Sequence, residues 1–197
     1  RRASEIEILR FKPAGRGARD AIYDQNRCTD AQHRALLPTV LQLSRRHRTR
    51  VRLDCSFTPM VVHHRPPPRL VQFLCIYGCA AGDLLVGAKS GGQMSGCSFF
   101  PSTPARVDAL REYRGRPDAF PPFRAYVQNP PPPCADCEYR ALCRGGCRAV
   151  AVHVTGDGAQ PDPECPRVID HRAAHPPSDG DDAAMTQCAK KRLPVLA

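Results

Sequence analysis

The chain has 197 residues, enough for one domain or for a domain and part of another. Its 21 prolines and 14 glycines, with 6% aromatic residues and no tryptophan, exclude an all-helical protein built round a large conventional core. The net charge is +10, but the basic residues are scattered apart from Arg45–Arg52, and no aromatic residues interleave with them, so nucleic acid is not an expected partner.

Glu5–Phe11 alternates and predicts a strand, which stops at the breaker-rich loop 12–17. Thr29 and Gln32 have the spacing of a capping box, and Leu36, Leu37, Val40, Leu41 and Leu43 follow at helical intervals. Pro38 lies inside that helix and is expected to kink it or split off its first turn. Arg50–Cys55 alternates again, with Val51, Leu53 and Cys55 on one side. Strand, helix and strand at this spacing predict a βαβ unit with parallel strands. Alone, such a unit leaves a sheet edge uncovered, so residues 1–60 read as the end of a larger barrel or open sheet.

Residues 61–74, with three consecutive prolines, read as a linker. Leu84–Lys89 and Gln93–Phe99 predict a hairpin across Ser90, Gly91 and Gly92. Thr103 and Pro104 predict the start of a helix reaching about Tyr113. A second proline run, Asn129–Pro133, precedes Cys134. Cys137–Cys143 has room for one helical turn, and Ala149–Val154 fits either a helix or a strand. Residues 171–197 read as a polar tail, most polar around Asp179–Asp182. The expected fold class is an irregular α+β: the βαβ portion, then a small cysteine-rich domain over residues 75–170.

No apolar run approaches the length of a membrane span, and no signal-peptide pattern is present. Eleven cysteines without an export signal argue for reduced, metal-holding thiols in the cytoplasm rather than a secreted disulfide framework. The chain begins Arg1-Arg2-Ala3 without an initiator methionine, as a piece of a longer product would.

Seven cysteines form one pattern: Cys79-x12-Gly92-x4-Cys97, then Cys134-x2-Cys137-x5-Cys143-x3-Cys147, then Cys165 after seventeen residues. C-x2-C lets two thiolates reach one metal centre from a single turn, and Gly145 and Gly146 let backbone approach a bulky inorganic core. A single zinc ion is the simpler alternative, in a zinc-stabilised basic module that binds nucleic acid. One zinc takes four thiolates and leaves Cys79, Cys97 and Cys165 without a role. A stand-alone ferredoxin-like electron carrier is a further alternative. Cys28 and Cys188 read as small apolar residues.

The seven-cysteine pattern resembles the SPASM domain, the C-terminal auxiliary iron–sulfur domain of radical S-adenosylmethionine enzymes. Gly78-Cys79-Ala80-Ala81-Gly82 and Cys97-Ser98-Phe99 add to the likeness, and Leu9–Pro13 resembles the end of a late strand in that family's partial (β/α)6 barrel. The resemblance implies two auxiliary [4Fe-4S] clusters. Cys134, Cys137, Cys143 and Cys165 would hold one; Cys79, Cys97 and Cys147 would hold the other with an eighth ligand, for which Cys75 is nearest and Cys55 the alternative. It further implies electron transfer or substrate positioning during modification of a peptide or protein. The family's catalytic C-x3-C-x2-C motif is absent: Gly82 stands where Cys75 and Cys79 would need their third partner, and Val150 where Cys143 and Cys147 would. No catalytic residue is therefore expected, and the chain alone should be inactive. S-adenosylmethionine belongs only to the intact enzyme, and a missing radical core or a reductant protein is an expected partner.

Overall fold

The structure is a computed structural model that describes residues 3–113, 116 and 118–176. Strand β1 (Glu5–Ile8) pairs in parallel with β2 (Arg50–Leu53), from Glu5 opposite Arg50 to Ile8 opposite Leu53. Between them lie helices α1 (Asp20–Asn26) and α2 (Asp30–His47). The capping box forms as expected: Thr29 Oγ1 accepts from the Gln32 N–H at 3.2 Å, and Gln32 Oε1 accepts from the Thr29 N–H at 2.8 Å. Helix α2 runs unbroken through Pro38. The missing N–H costs one bond to the turn below, but Leu37 and Val40 beside it are buried, and their packing holds the segment helical.

Helices α3 (Thr58–Val62) and α4 (Pro68–Phe73) follow. Here the structure differs from the expected linker. Val61 and Leu74 are fully buried in one core with Leu37, Val40, Val51, Leu53 and Ile76. The three prolines had masked this apolar content, and Pro68 in fact opens α4, where its fixed φ suits a first turn.

The hairpin forms, but only β3 (Gly87–Ala88) and β4 (Met94–Ser95) pair, antiparallel. Thr103 does not cap a helix: its N–H and hydroxyl both donate to the Met94 carbonyl, tying the loop to the hairpin. The helix begins later, as α5 (Leu110–Tyr113). Helix α6 (Pro121–Gln128) was not legible beforehand and packs Phe123 with Met94 and Phe120 in a second core. Then come α7 (Arg140–Cys143), α8 (Arg148–Thr155) and α9 (Pro166–Ala174). Helix α8 settles the earlier ambiguity at 149–154. The architecture is thus an irregular α+β of short helices and two small sheets. Among the described residues no helix is long and apolar enough to cross a membrane. Cys188 and the Asp179–Asp182 stretch lie outside the described residues.

Candidate metal centre

The segment Cys143-Arg144-Gly145-Gly146-Cys147 divides the cysteines. Cys143 ends α7, and Arg144, Gly145 and Gly146 all take positive φ, 56°, 80° and 80°. The chain therefore turns sharply, and Cys147 becomes the N-cap of α8. Only glycine fits here: a Cβ on Gly145 would stand 2.0 Å from Tyr126 Cε1, and one on Gly146 2.5 Å from Asp162 Cβ. Two cysteines four apart are thereby sent to different places.

Cys143 joins Cys134, Cys137 and Cys165 around a cavity of about 340 Å³, which Pro132, Pro133 and Arg167 also line. Burial pushes the Cys143 thiol well above its ordinary value, and neighbouring Cys165, Cys134 and Cys137 push it the same way. Cys165 caps α9, and burial raises its thiol to about 12 although the Val168 and Arg167 N–H groups favour the thiolate. Arg167 Nη1 donates to Cys137 Sγ at 3.5 Å and to Glu138 at 2.9 Å.

Cys147 feels Cys79, Cys55 feels both of them, and Cys79 feels Cys97, which links these four thiols pairwise. Burial lifts Cys147 to about 11, Arg10 opposes, and Cys79 adds to the rise. Burial also raises Cys79, with Cys97 adding. Cys55 is exposed, yet its thiol is pushed up to about 12, by desolvation first and then by Cys79, Asp54 and Cys147. Two bridges hold Cys55 in this group. Arg10 Nη1 donates both to the Ser56 carbonyl, at 2.9 Å, and to Asp162 Oδ2, which accepts from the Cys147 N–H at 2.9 Å. On the other side Lys12 pairs with Asp54 and lies 5.0 Å over the Phe99 ring, two residues from Cys97. Cys75, the nearer candidate by sequence, is not brought in. Like Cys55 it is exposed; what sets it apart is its φ of 53° and its sulfur, which accepts from Arg50 Nη2 at 3.2 Å. The turn at Cys75 aims its side chain at β2, which sequence spacing does not encode. Cys28 is half-buried and stands in neither group.

Sequence reasoning missed the buried charges around these thiols. Arg10 is 4% exposed and meets Asp162 at 2.6 and 3.0 Å and Glu164 at 2.8 Å. Tyr23 donates to Glu164 at 2.6 Å. Burial works against the Asp162 charge, but Arg10 and the N–H groups of Cys147 and Glu164 outweigh it and lower its pKa. The alternation of Glu5–Phe11 sets Arg10 on the face of Ile6 and Ile8, but a lone arginine in EIEILRF does not name its carboxylate partners.

Arg148 lies between the two thiol groups. It is 2% exposed and sits 3.7 Å over the Tyr126 ring. Its guanidinium donates to the carbonyls of Gly145, Gly158 and Gln160. Among the described residues no carboxylate pairs with it, and its Nε has no partner. A buried cation without an anion is costly. Its charge lowers the thiols of both Cys79 and Cys134.

Both groups suit thiolate ligands that give up protons on metal binding. Cys147 and Cys165 have folded pKa values above the ordinary thiol value of about 8.5, so the metal-free fold favours their neutral forms. Their contribution to stability is whole below about pH 8.5 and is lost as pH rises toward 11 and 12, by up to about 1.4 kcal/mol per pH unit per thiol. Urea unfolding of the metal-free chain at pH 8, 9 and 10 should show this alkaline loss; a flat profile would contradict the burial of these thiols.

Among the described residues no three His, Cys, Asp or Glu side chains stand close enough to share one metal ion. Comparison with family models, with curated proteins and with solved structures finds no match.

Proposed function

We propose that this chain is an iron–sulfur protein segment that binds two [4Fe-4S] clusters. Cys134, Cys137, Cys143 and Cys165 form one site, and Cys55, Cys79, Cys97 and Cys147 the other. The observation that carries the reading is the 340 Å³ cavity whose lining includes Cys134, Cys137, Cys143 and Cys165. A bare zinc ion draws four thiolates to about 2.3 Å from one point, whereas a cubane needs a cavity of several water volumes between them, a water taking about 30 Å³. Arg148 supports the same reading, because a cubane with four thiolates is a net anion, and among the described residues no carboxylate faces this buried cation. Such a group takes up and passes on single electrons.

The chain's own residues do the rest. Cys147 and Cys165 present their sulfurs at helix N-termini, where backbone N–H groups stabilise thiolate. The Arg10–Asp162 pair ties β1 to the Cys147 backbone. By its likeness to the SPASM pattern, we assign the chain to the C-terminal part of a radical S-adenosylmethionine enzyme that modifies a peptide or protein. β1 and β2 would be the last barrel strands, and the C-x3-C-x2-C core and the S-adenosylmethionine site would lie elsewhere. Anaerobic reconstitution with iron and sulfide tests this: brown protein with about eight irons per chain is expected. A colourless product carrying one or two zinc ions would overturn it.

A further inference from the structure

Arg167 stands in the first turn of α9, just after Cys165, and lines the cavity together with Cys134, Cys137, Cys143 and Cys165. Its guanidinium is held from several sides. Nη1 and Nη2 donate to the two Glu138 carboxylate oxygens at 2.9 and 3.0 Å, and Nη2 also donates to the Val62 carbonyl at 3.3 Å. The cation lies 5.3 Å over the Tyr139 ring. A fork of two parallel bonds to one carboxylate fixes the guanidinium plane. So held, Nη1 also donates to Cys137 Sγ at 3.5 Å. A neutral thiol is a weak acceptor, whereas an acceptor that carries charge makes the stronger, charge-assisted bond. A fixed cation aimed at a sulfur on the cavity wall therefore suits a site that works with that sulfur ionised.

We propose that Arg167 keeps its hydrogen bond to Cys137 Sγ when the four-cysteine site is loaded, and thereby raises the reduction potential of that site above what four thiolates alone would set. The inference rests on the two-cluster reading. A hydrogen bond to a ligating sulfur drains negative charge from it and stabilises the reduced, more negative state. Glu138 takes part through geometry: it clamps the guanidinium and offsets part of its charge, so what reaches the sulfur is chiefly the directed N–H. The effect belongs to this site, because Arg167 lines its cavity. Arg167 is thus a positioning residue that acts on a ligand, and it is not a ligand itself.

Redox titration of the reconstituted full chain, followed by electron paramagnetic resonance, tests this with two variants. Arg167→Met, which loses the cation and the donor, should keep its iron and lower one of the two midpoint potentials while the other stays put. Arg167→Lys keeps the charge, but its side chain is one bond shorter and has no planar fork to hold Glu138 and Cys137 together. It should lower the same potential by less, which assigns the remaining loss to the directed bond. Unchanged potentials in both variants would overturn the proposal. If Arg167→Met fails to hold iron, the lysine variant decides alone: no downward shift overturns it. A wild-type chain without iron would sink the two-cluster reading instead, which keeps the two failures apart.

Discussion

On the two-cluster reading, replacing Cys143 by alanine is expected to remove about four of about eight irons per chain, because one of the two proposed sites loses a thiolate. The loss should be confined to one site, since the turn at Arg144, Gly145 and Gly146 sends Cys143 and Cys147 to different groups. Cys147→Ala should remove the other half. Cys75→Ala should remove none, as its sulfur accepts from Arg50 Nη2, whereas Cys55→Ala should weaken the site of Cys79, Cys97 and Cys147. Metal binding and folding are coupled, so Cys143→Ala should also lower the thermal midpoint of reconstituted protein more than Cys75→Ala does. Iron analysis in which Cys75→Ala costs iron and Cys55→Ala costs none would show the eighth ligand to be Cys75.

Asp162→Ala is expected to cost about 3–5 kcal/mol, the usual result of leaving one partner of a buried ion pair uncompensated. Asp162 is 1% exposed and accepts from both Arg10 terminal nitrogens and from the N–H groups of Cys147 and Glu164. Its removal leaves the buried Arg10 with Glu164 as its remaining carboxylate among the described residues and takes the acceptor from two backbone donors. Against a typical stability of about 5–15 kcal/mol the loss is severe. Glu164→Gln should cost less, because the amide oxygen still accepts from Tyr23 and Asp162 still faces Arg10. Urea denaturation of the metal-free variants measures both. A loss below about 1 kcal/mol for Asp162→Ala would mean that Arg10 finds water or another anion.

The local elements with strong periodicity were readable from the chain. Thr29 and Gln32 announced α2, the alternation of Glu5–Ile8 and Arg50–Leu53 gave the parallel pair, and Ser90-Gly91-Gly92 gave the hairpin turn. The prolines misled in two directions. Pro38 sits inside an intact helix because flanking leucine and valine are buried, and Pro68 starts a helix within a segment that reads as linker. Of the candidate site, the grouping of Cys134, Cys137, Cys143 and Cys165 followed from the family likeness, and the cavity unites the same four. What spacing leaves out is side-chain direction. Cys55 and Cys75 are indistinguishable as letters; a positive φ at one and the Arg10 bridge beside the other separate them. Arg10 and Arg148 were not legible because each is held by groups outside its own element: Asp162, far along the chain, holds Arg10, and the carbonyls of Gly158 and Gln160 hold Arg148.

The central claim is tested most directly by crystals of anaerobically reconstituted protein measured across the iron absorption edge. Two separate anomalous peaks are predicted, one among Cys134, Cys137, Cys143 and Cys165 and one among Cys55, Cys79, Cys97 and Cys147. A single peak, scattering at the zinc edge instead, or Cys165 remote from the other three thiols would contradict it.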